Sequence, residues 1–136
     1  MGLGDARPAL AEIGRYIEQN VSQGFFLNIP IHLRFAPMDR SYLSPSYGRQ
    51  TCYIAVRCHI STPNYKIFFS GLEEVMIRFG GRPSFAAMHF NDVTALRNQF
   101  PEFDRFCAVR ARMDPAGMFT SSYVDQILGS VQGFSD

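Results

Sequence analysis

Tryptophan is absent from this chain, and cysteine nearly so: Cys52, Cys58 and Cys107 are the only three in 136 residues. Without C-x-x-C spacing they resemble neither a zinc ribbon nor a dithiol redox centre. An odd number without a secretory leader fits a reducing compartment and excludes a disulfide framework. Long apolar runs are missing too, and none approaches the roughly 18 residues that a membrane span needs. The opening "MGLGDARPALAEIG" has no hydrophobic h-region, Asp5 and Glu12 spoil a transit peptide, and Ala6 breaks the N-myristoylation pattern. An excess of charge is also lacking. The formal net charge is +1, with 13 basic residues scattered among 12 acidic ones. A phosphate-tracking surface needs a basic face, so no nucleic-acid partner is expected.

What remains is an apolar chain, 46% hydrophobic and 18% charged, of the length of one domain. A single domain over residues 1–136 is the expectation. Its aromatics are 13 Phe and 6 Tyr, which implies a thick core or a face that docks on something else.

Periodicity sets the elements. Leu10, Ile13, Ile17 and Val21 recur at helical spacing over 6–23, with Asp5 as N-cap and Gly24 as stop. Leu27, Ile29, Ile31, Leu33 and Phe35 then alternate with Asn28, Pro30, His32 and Arg34, which predicts a strand with one buried face. Pro30 marks it as an edge or a bulge. Residues 37–50 read as a long loop. "TCYIAVRCHI" predicts a second strand, with Cys52, Ile54, Val56, Cys58 and Ile60 on one face and Thr51, Tyr53, Ala55, Arg57 and His59 on the other. Tyr65, Phe68, Phe69, Leu72, Met76 and Phe79 trace a helical stripe closed by Gly80 and Gly81. A third strand or extended segment over 82–89 follows, then helices near 91–99, 101–112 and 122–128. The order α-β-β-α-β-α-α-α predicts an α+β fold, a small antiparallel or mixed sheet covered by helices.

No motif carries chemistry by spacing alone. Three His and three Cys make no ligand set, because Cys58 and His59 point to opposite faces of a strand. Cys107 sits among phenylalanines and reads as an inert buried thiol. Glu73, Glu74 and Arg78 read as a solvated helix face with an i,i+4 pair, the alternative being an acid/base pair of carboxylates. The glycines of "MGLGDA" and "FGGRP" lack the context of a phosphate cradle. His32 and Arg34 share the polar face of the first strand. That face meets water, or lines a pocket with Arg57 and His59, or meets another domain; period two leaves all three open.

Three stretches, "LSPSYGRQTCYIAV", "EEVMIRFGGRP" and "FPEFDRFCAVRARMDPAGMFTSSYVDQILG", closely resemble the C-terminal part of the sugar-1,4-lactone oxidases, the gulonolactone, galactonolactone and arabinonolactone oxidoreductases. The resemblance runs from about residue 7 to residue 129. It implies flavoproteins of the vanillyl-alcohol-oxidase type, in which an N-terminal domain holds FAD and a C-terminal cap covers the flavin and binds the lactone. This chain resembles only the last part of the cap, so the FAD-binding domain is expected to be absent and no cofactor is expected for this chain alone. Where the family continues Gly-Gly-Arg-Pro as His-Trp-x-Lys, this chain has Ser84, Phe85, Ala86 and Ala87. Where the family carries Glu-x-Arg, it has His32 and Arg34, and Ser121 stands at a frequent Asn. The resemblance therefore implies a degenerate site at His32, Arg34, Ser84 and Ala87. Alanine methyls neither donate hydrogen bonds nor accept protons, and positioned acid–base groups contribute about 10²–10⁴-fold to rates. His32 is the one residue of that set left that could stand in as a base.

Two expectations follow. One is a non-catalytic cap remnant acting as a structural subunit, bound to a protein partner or to a second copy through an exposed sheet edge and a Phe-rich face. The other is the substrate-domain piece of an active FAD-dependent lactone oxidase whose flavin domain lies elsewhere. Family resemblance implies the mitochondrial inner membrane or the endoplasmic reticulum, with membrane contact only through partners.

Overall fold

The stripe of Ile13 and its neighbours forms helix α1, Ala6–Val21, in the computed structural model, which describes residues 1–59 and 61–131. A short 3-10 turn, Leu3–Asp5, precedes it. Asp5 occupies the N-cap, but its carboxylate accepts no helix N–H. Gly24, at φ 83°, reverses the chain as expected, and Phe25 N–H donates to Asn20 O at 3.1 Å.

The two strands are shorter than their alternation suggested. β1 is His32–Ala36 and β2 is Thr51–Ala55. They pair antiparallel, with Leu33 opposite Ile54 and Arg34 opposite Tyr53. Residues 27–31 stay outside the ladder, and Pro30, which has no N–H to donate, lies among them. The buried face expected of β1 is not formed at its end, where Leu33 is 41% and Phe35 67% exposed. Ile60, assigned by the alternation to the inner face of β2, lies outside the described residues. Among those residues the sheet has these two strands alone, and it is antiparallel rather than mixed. The extended segment over 82–89 is not a third strand. Pro83 cannot donate, and the segment turns at 84–87, where Ala87 N–H donates to Ser84 O at 3.0 Å.

Helix α2, Tyr65–Arg78, ends at the glycine pair, as the sequence required. Gly80 adopts φ 64°, and a Cβ on Gly81 would lie 2.6 Å from Met76 O. Only glycine fits both positions. Three shorter helices follow: α3, Val93–Gln99; α4, Phe103–Met113; and α5, Ser122–Leu128. Asp92 caps α3 by accepting from Ala95 N–H, and Ser121 caps α5 by accepting from Val124 N–H. Between α4 and α5, the Asp114 carboxylate accepts from Met118 N–H at 2.8 Å and from Phe119 N–H at 2.9 Å. The fold is α+β, with five helices and the small sheet.

Apolar burial falls into two clusters. Ile13, Phe25, Phe68, Leu72 and Val75 join α1 and α2 to Ile54 and Val56. Leu96, Phe100, Phe103, Cys107, Ile127 and Leu128 join α3, α4 and α5. Within the first, α1 and α2 approach closely at Gly71, where a Cβ would lie 2.2 Å from the Tyr16 hydroxyl oxygen. That hydroxyl donates to Phe68 O at 3.1 Å. Gly71→Ala should force Tyr16 out of this bond and lower stability by about 1–3 kcal/mol, as small-to-large changes in packed sites do. Urea unfolding checks it, and an unchanged midpoint would contradict the packing.

Candidate functional site

A cleft of about 580 Å³ opens between the sheet, α2 and the segment 81–91, and Arg34, Tyr53, Arg57, Glu73, Ser84 and Ala87 are among its lining. The structure thus brings together three of the four residues expected to form a site. The fourth, His32, is exposed on β1 and is not part of that lining, and neither is His59. The pocket reading of the polar strand face therefore holds for Arg34 and Arg57 and fails for both histidines. Arg34 stands over the Tyr53 ring, 6.0 Å from its centroid, and the Tyr53 hydroxyl hydrogen-bonds Ser46 Oγ at 2.9 Å.

Two side chains hold the wall of the cleft that carries Ser84 and Ala87. Arg82 Nε donates to Gln99 O at 2.9 Å, and its Nη1 donates to Tyr47 O at 2.9 Å and Pro45 O at 3.3 Å. Its guanidinium lies 5.8 Å from the Phe100 ring centroid. The arginine of "GGRP" is thereby committed to three backbone carbonyls. Glu73 is the second. Its Oε2 accepts from Phe90 N–H at 2.9 Å and its Oε1 from Asn91 Nδ2 at 2.7 Å, while Asn91 Oδ1 accepts from Gln99 Nε2 at 2.6 Å. Glu73 is thus tied to the segment 81–91 rather than standing on a solvated helix face, and the i,i+4 pair, which falls on Glu74 and Arg78, is not among the ion pairs of the described residues: Arg78 reaches across to Glu12 at 3.5 Å. Spacing within α2 gave no sign of this, because the partners of Glu73 come from a segment about 17 residues downstream that folds back on the helix.

Burial pushes the Glu73 carboxyl above its usual range, and its bonds to Phe90 and Asn91 pull partly back. A carboxyl whose folded pKa is raised favours the folded state at low pH, and that stability is lost as pH rises through the folded pKa. Thermal melts of the wild type should therefore fall more, or rise less, than those of Glu73→Gln as pH climbs from about 4 to about 6. Parallel profiles would show that Glu73 is not desolvated.

Chemically, the strand face and the wall segment bring donors to the cleft, and the Met1 α-amine, its pKa lowered to about 6 by burial, also lines it. Arg34 presents a permanent cation and Ser84 a hydroxyl, Ala87 is inert, and both oxygens of Glu73 are occupied. Cys107 is buried, with its pKa pushed up to about 11 by desolvation, in keeping with an inert thiol. No group of three His, Cys, Asp or Glu among the described residues could hold a metal ion. Tyr53 and Asn91 were not singled out by sequence. The strand alternation had placed Tyr53 beside Arg57, which was the available signal.

The family model described as D-arabinono-1,4-lactone oxidase matches residues 1–127. The L-gulono-1,4-lactone dehydrogenase of Mycobacterium tuberculosis (strain CDC 1551 / Oshkosh) is 41% identical over 100 residues, covering 74% of this chain and 23% of that protein. The L-gulonolactone oxidase of Bos taurus is 30% identical over 124 residues, covering 89% of this chain and 28% of the relative. An alditol oxidase of Streptomyces sp. is 28% identical over 96 residues, covering 71% and 23%. The chain spans about a quarter of the length of the curated relatives it matches.

Proposed function

The chain belongs to the D-arabinono-1,4-lactone oxidase family, and on that premise we propose that it is a cap-type remnant which keeps the shape of a sugar-lactone cleft without the groups that drive oxidation. The observation that carries this reading is the cleft wall. Arg82 and Glu73 still hold the segment 81–91 in place, yet the side chains it presents there include Ser84, Ala86 and Ala87. Oxidising a lactone requires a hydride acceptor and a group that takes the hydroxyl proton. FAD, implied by the family resemblance, supplies the first when bound, but these residues do not fit it. Gly80 and Gly81 are spent on ending α2, and a Cβ on Gly2 would lie 3.0 Å from the Asp5 carboxylate, a charge that opposes a pyrophosphate at the start of α1. The chain acts in this reading as a structural subunit of a larger assembly. Among the described residues no helix is long and apolar enough to cross a membrane, and any association with the mitochondrial inner membrane or the endoplasmic reticulum comes through its partners.

Arg34 and Ser84 in one cleft favour a second reading, the substrate-domain piece of an active FAD-dependent lactone oxidase whose flavin domain is on another chain. An absorbance scan of the native complex, with lactone-driven reduction of a dye, separates the two. The expected result is no flavin band and no turnover, and a yellow, lactone-oxidising complex would overturn the first reading. Ala87→Lys combined with His32→Glu should gain no activity, since residue 32 lies outside the cleft lining.

A further inference from the structure

Glu73, Asn91 and Gln99 form an unbroken row of side chains that crosses from α2, past the end of the segment 81–91, to the last residue of α3. The links are Asn91 Nδ2 to Glu73 Oε1 at 2.7 Å and Gln99 Nε2 to Asn91 Oδ1 at 2.6 Å. Asn91 is buried, and Glu73 and Gln99 are half-buried. At the far end, Gln99 Oε1 is a buried acceptor with no donor among the described residues. Every donor in the row therefore points towards Glu73, and the row ends on an unmatched oxygen. An ionised carboxylate imposes this direction, because it can only accept.

Both ends of the row are anchored. Phe90 N–H, which can only donate, holds Glu73 Oε2 at 2.9 Å, so a proton added to this carboxyl goes to Oε1. Arg82 Nε donates to the Gln99 main-chain oxygen at 2.9 Å, which fixes residue 99 and leaves its amide free to turn. The terminal torsions of Asn and Gln are broad and roughly two-fold, so a half-turn exchanges amide oxygen and nitrogen in nearly the same place. With the proton on Oε1, that oxygen donates to Asn91 Oδ1, and Asn91 Nδ2 donates to Gln99 Oε1. Both links survive and only their direction changes. Burial of Glu73 favours its neutral form, which brings the turn closer to neutral pH.

No neighbouring charge locks the row in one direction. Arg34 and Arg57 from the sheet side, Arg82 from the wall and the Met1 α-amine share the cleft lining with Glu73. Glu74 and Arg78 share its helix. None of these forms an ion pair with Glu73 among the described residues. On α3, Asp92 caps its own helix and Arg97 pairs with Asp104. His89, two residues before Asn91, hydrogen-bonds the Tyr123 hydroxyl through Nε2 at 3.0 Å. The lining thiols and phenols, Cys52, Cys58, Tyr53 and Tyr65, are of types that ordinarily titrate above about pH 8.

We propose that Glu73, Asn91 and Gln99 are a reversible hydrogen-bond relay, in which a proton taken up from the cleft at Glu73 Oε1 turns both amides over and is read at the end of α3. A ligand whose charge favours or opposes that proton is thereby sensed outside the cleft. The relay uses no part of the lactone reading and stands or falls without it. Side-chain amide NMR signals of Asn91 and Gln99 in the full chain, followed against pH beside the Glu73 carboxyl carbon, test it. Both amide pairs should shift with the midpoint of Glu73. In Glu73→Gln both should rest at the wild type's acid position at every pH, because the introduced amide donates to Asn91 while its oxygen keeps Phe90 N–H. His89→Gln should leave the midpoint in place, and Asn91→Ala should freeze the Gln99 signals while Glu73 still titrates. Gln99 signals that stay still while Glu73 titrates in the wild type, Glu73→Gln signals at the alkaline position, or a transition lost in His89→Gln would each overturn the relay.

Discussion

Phe68→Ala should cost about 3–5 kcal/mol, a large share of the 5–15 kcal/mol typical of a whole domain. Phe68 is 3% exposed and stacks on Phe25, with ring centroids 3.6 Å apart and planes 10° from parallel. It also meets Tyr16 at 5.3 Å and Phe69 edge-on at 5.4 Å. No neighbouring ring can collapse into the vacancy without abandoning its own contacts, which places the expected cost at the upper part of the range for large-to-small changes. Phe25 begins the descent from α1 towards the sheet, so the same change loosens the seat of residues 25–31. Chemical denaturation followed by near-ultraviolet circular dichroism measures the effect. A loss under about 1 kcal/mol would mean that the stack is not a principal core contact.

Arg82→Lys should destabilise by about 2–3 kcal/mol while leaving the net charge unchanged. A guanidinium holds Gln99 O, Tyr47 O and Pro45 O at once because its donors are splayed in one plane, and an ammonium on a flexible stem cannot reproduce that fork. At least one part-buried carbonyl then loses its donor, which costs roughly 1–3 kcal/mol, and the contact with the Phe100 ring weakens as well. The two variants are far enough apart in kind to be separated. Phe68→Ala should lower stability without changing its response to salt, whereas the Arg82→Lys deficit should vary with ionic strength. Full stability of Arg82→Lys would mean that the planar fork to these three carbonyls is not what holds the segment in place.

Much of the architecture was legible because it depends on neighbours along the chain. The stripe of α2, its glycine stop and the span of α5 each rest on contacts or caps within a few residues, so local pattern was enough. The third strand failed for the complementary reason. "RPSFAAMHF" has the composition of an extended segment, but a strand exists only where another backbone lies alongside. Here the neighbours of the segment are the Arg82 and Glu73 side chains. Leu33 and Phe35 alternate as buried residues do, yet alternation reports only that two faces differ, and on β1 both face outward. The same limit applied to the site. Arg34 could be placed on a face with Arg57 by counting, but Glu73 entered the cleft through a tertiary fold-back, and His32, on the same face of β1 as Arg34, is not among the residues that line it.

The division of the apolar interior has a dynamic consequence. One cluster is built from residues up to Phe79, and the other, Leu43 apart, from Phe85 onward. Only five residues, 80–84, run between them, and the ties across that seam include the carbonyl contacts of Arg82 and the Glu73–Asn91 bond. Hydrogen bonds and charge, unlike hydrocarbon contact, weaken together when water reaches them. Amide protons of α1 and α2 should therefore exchange with deuterium as one block and those of α3, α4 and α5 as another, each opening with its own free energy. The seam would then let the half of the fold that carries α3, α4 and α5 shift against the half that carries α1 and α2 while both interiors stay dry.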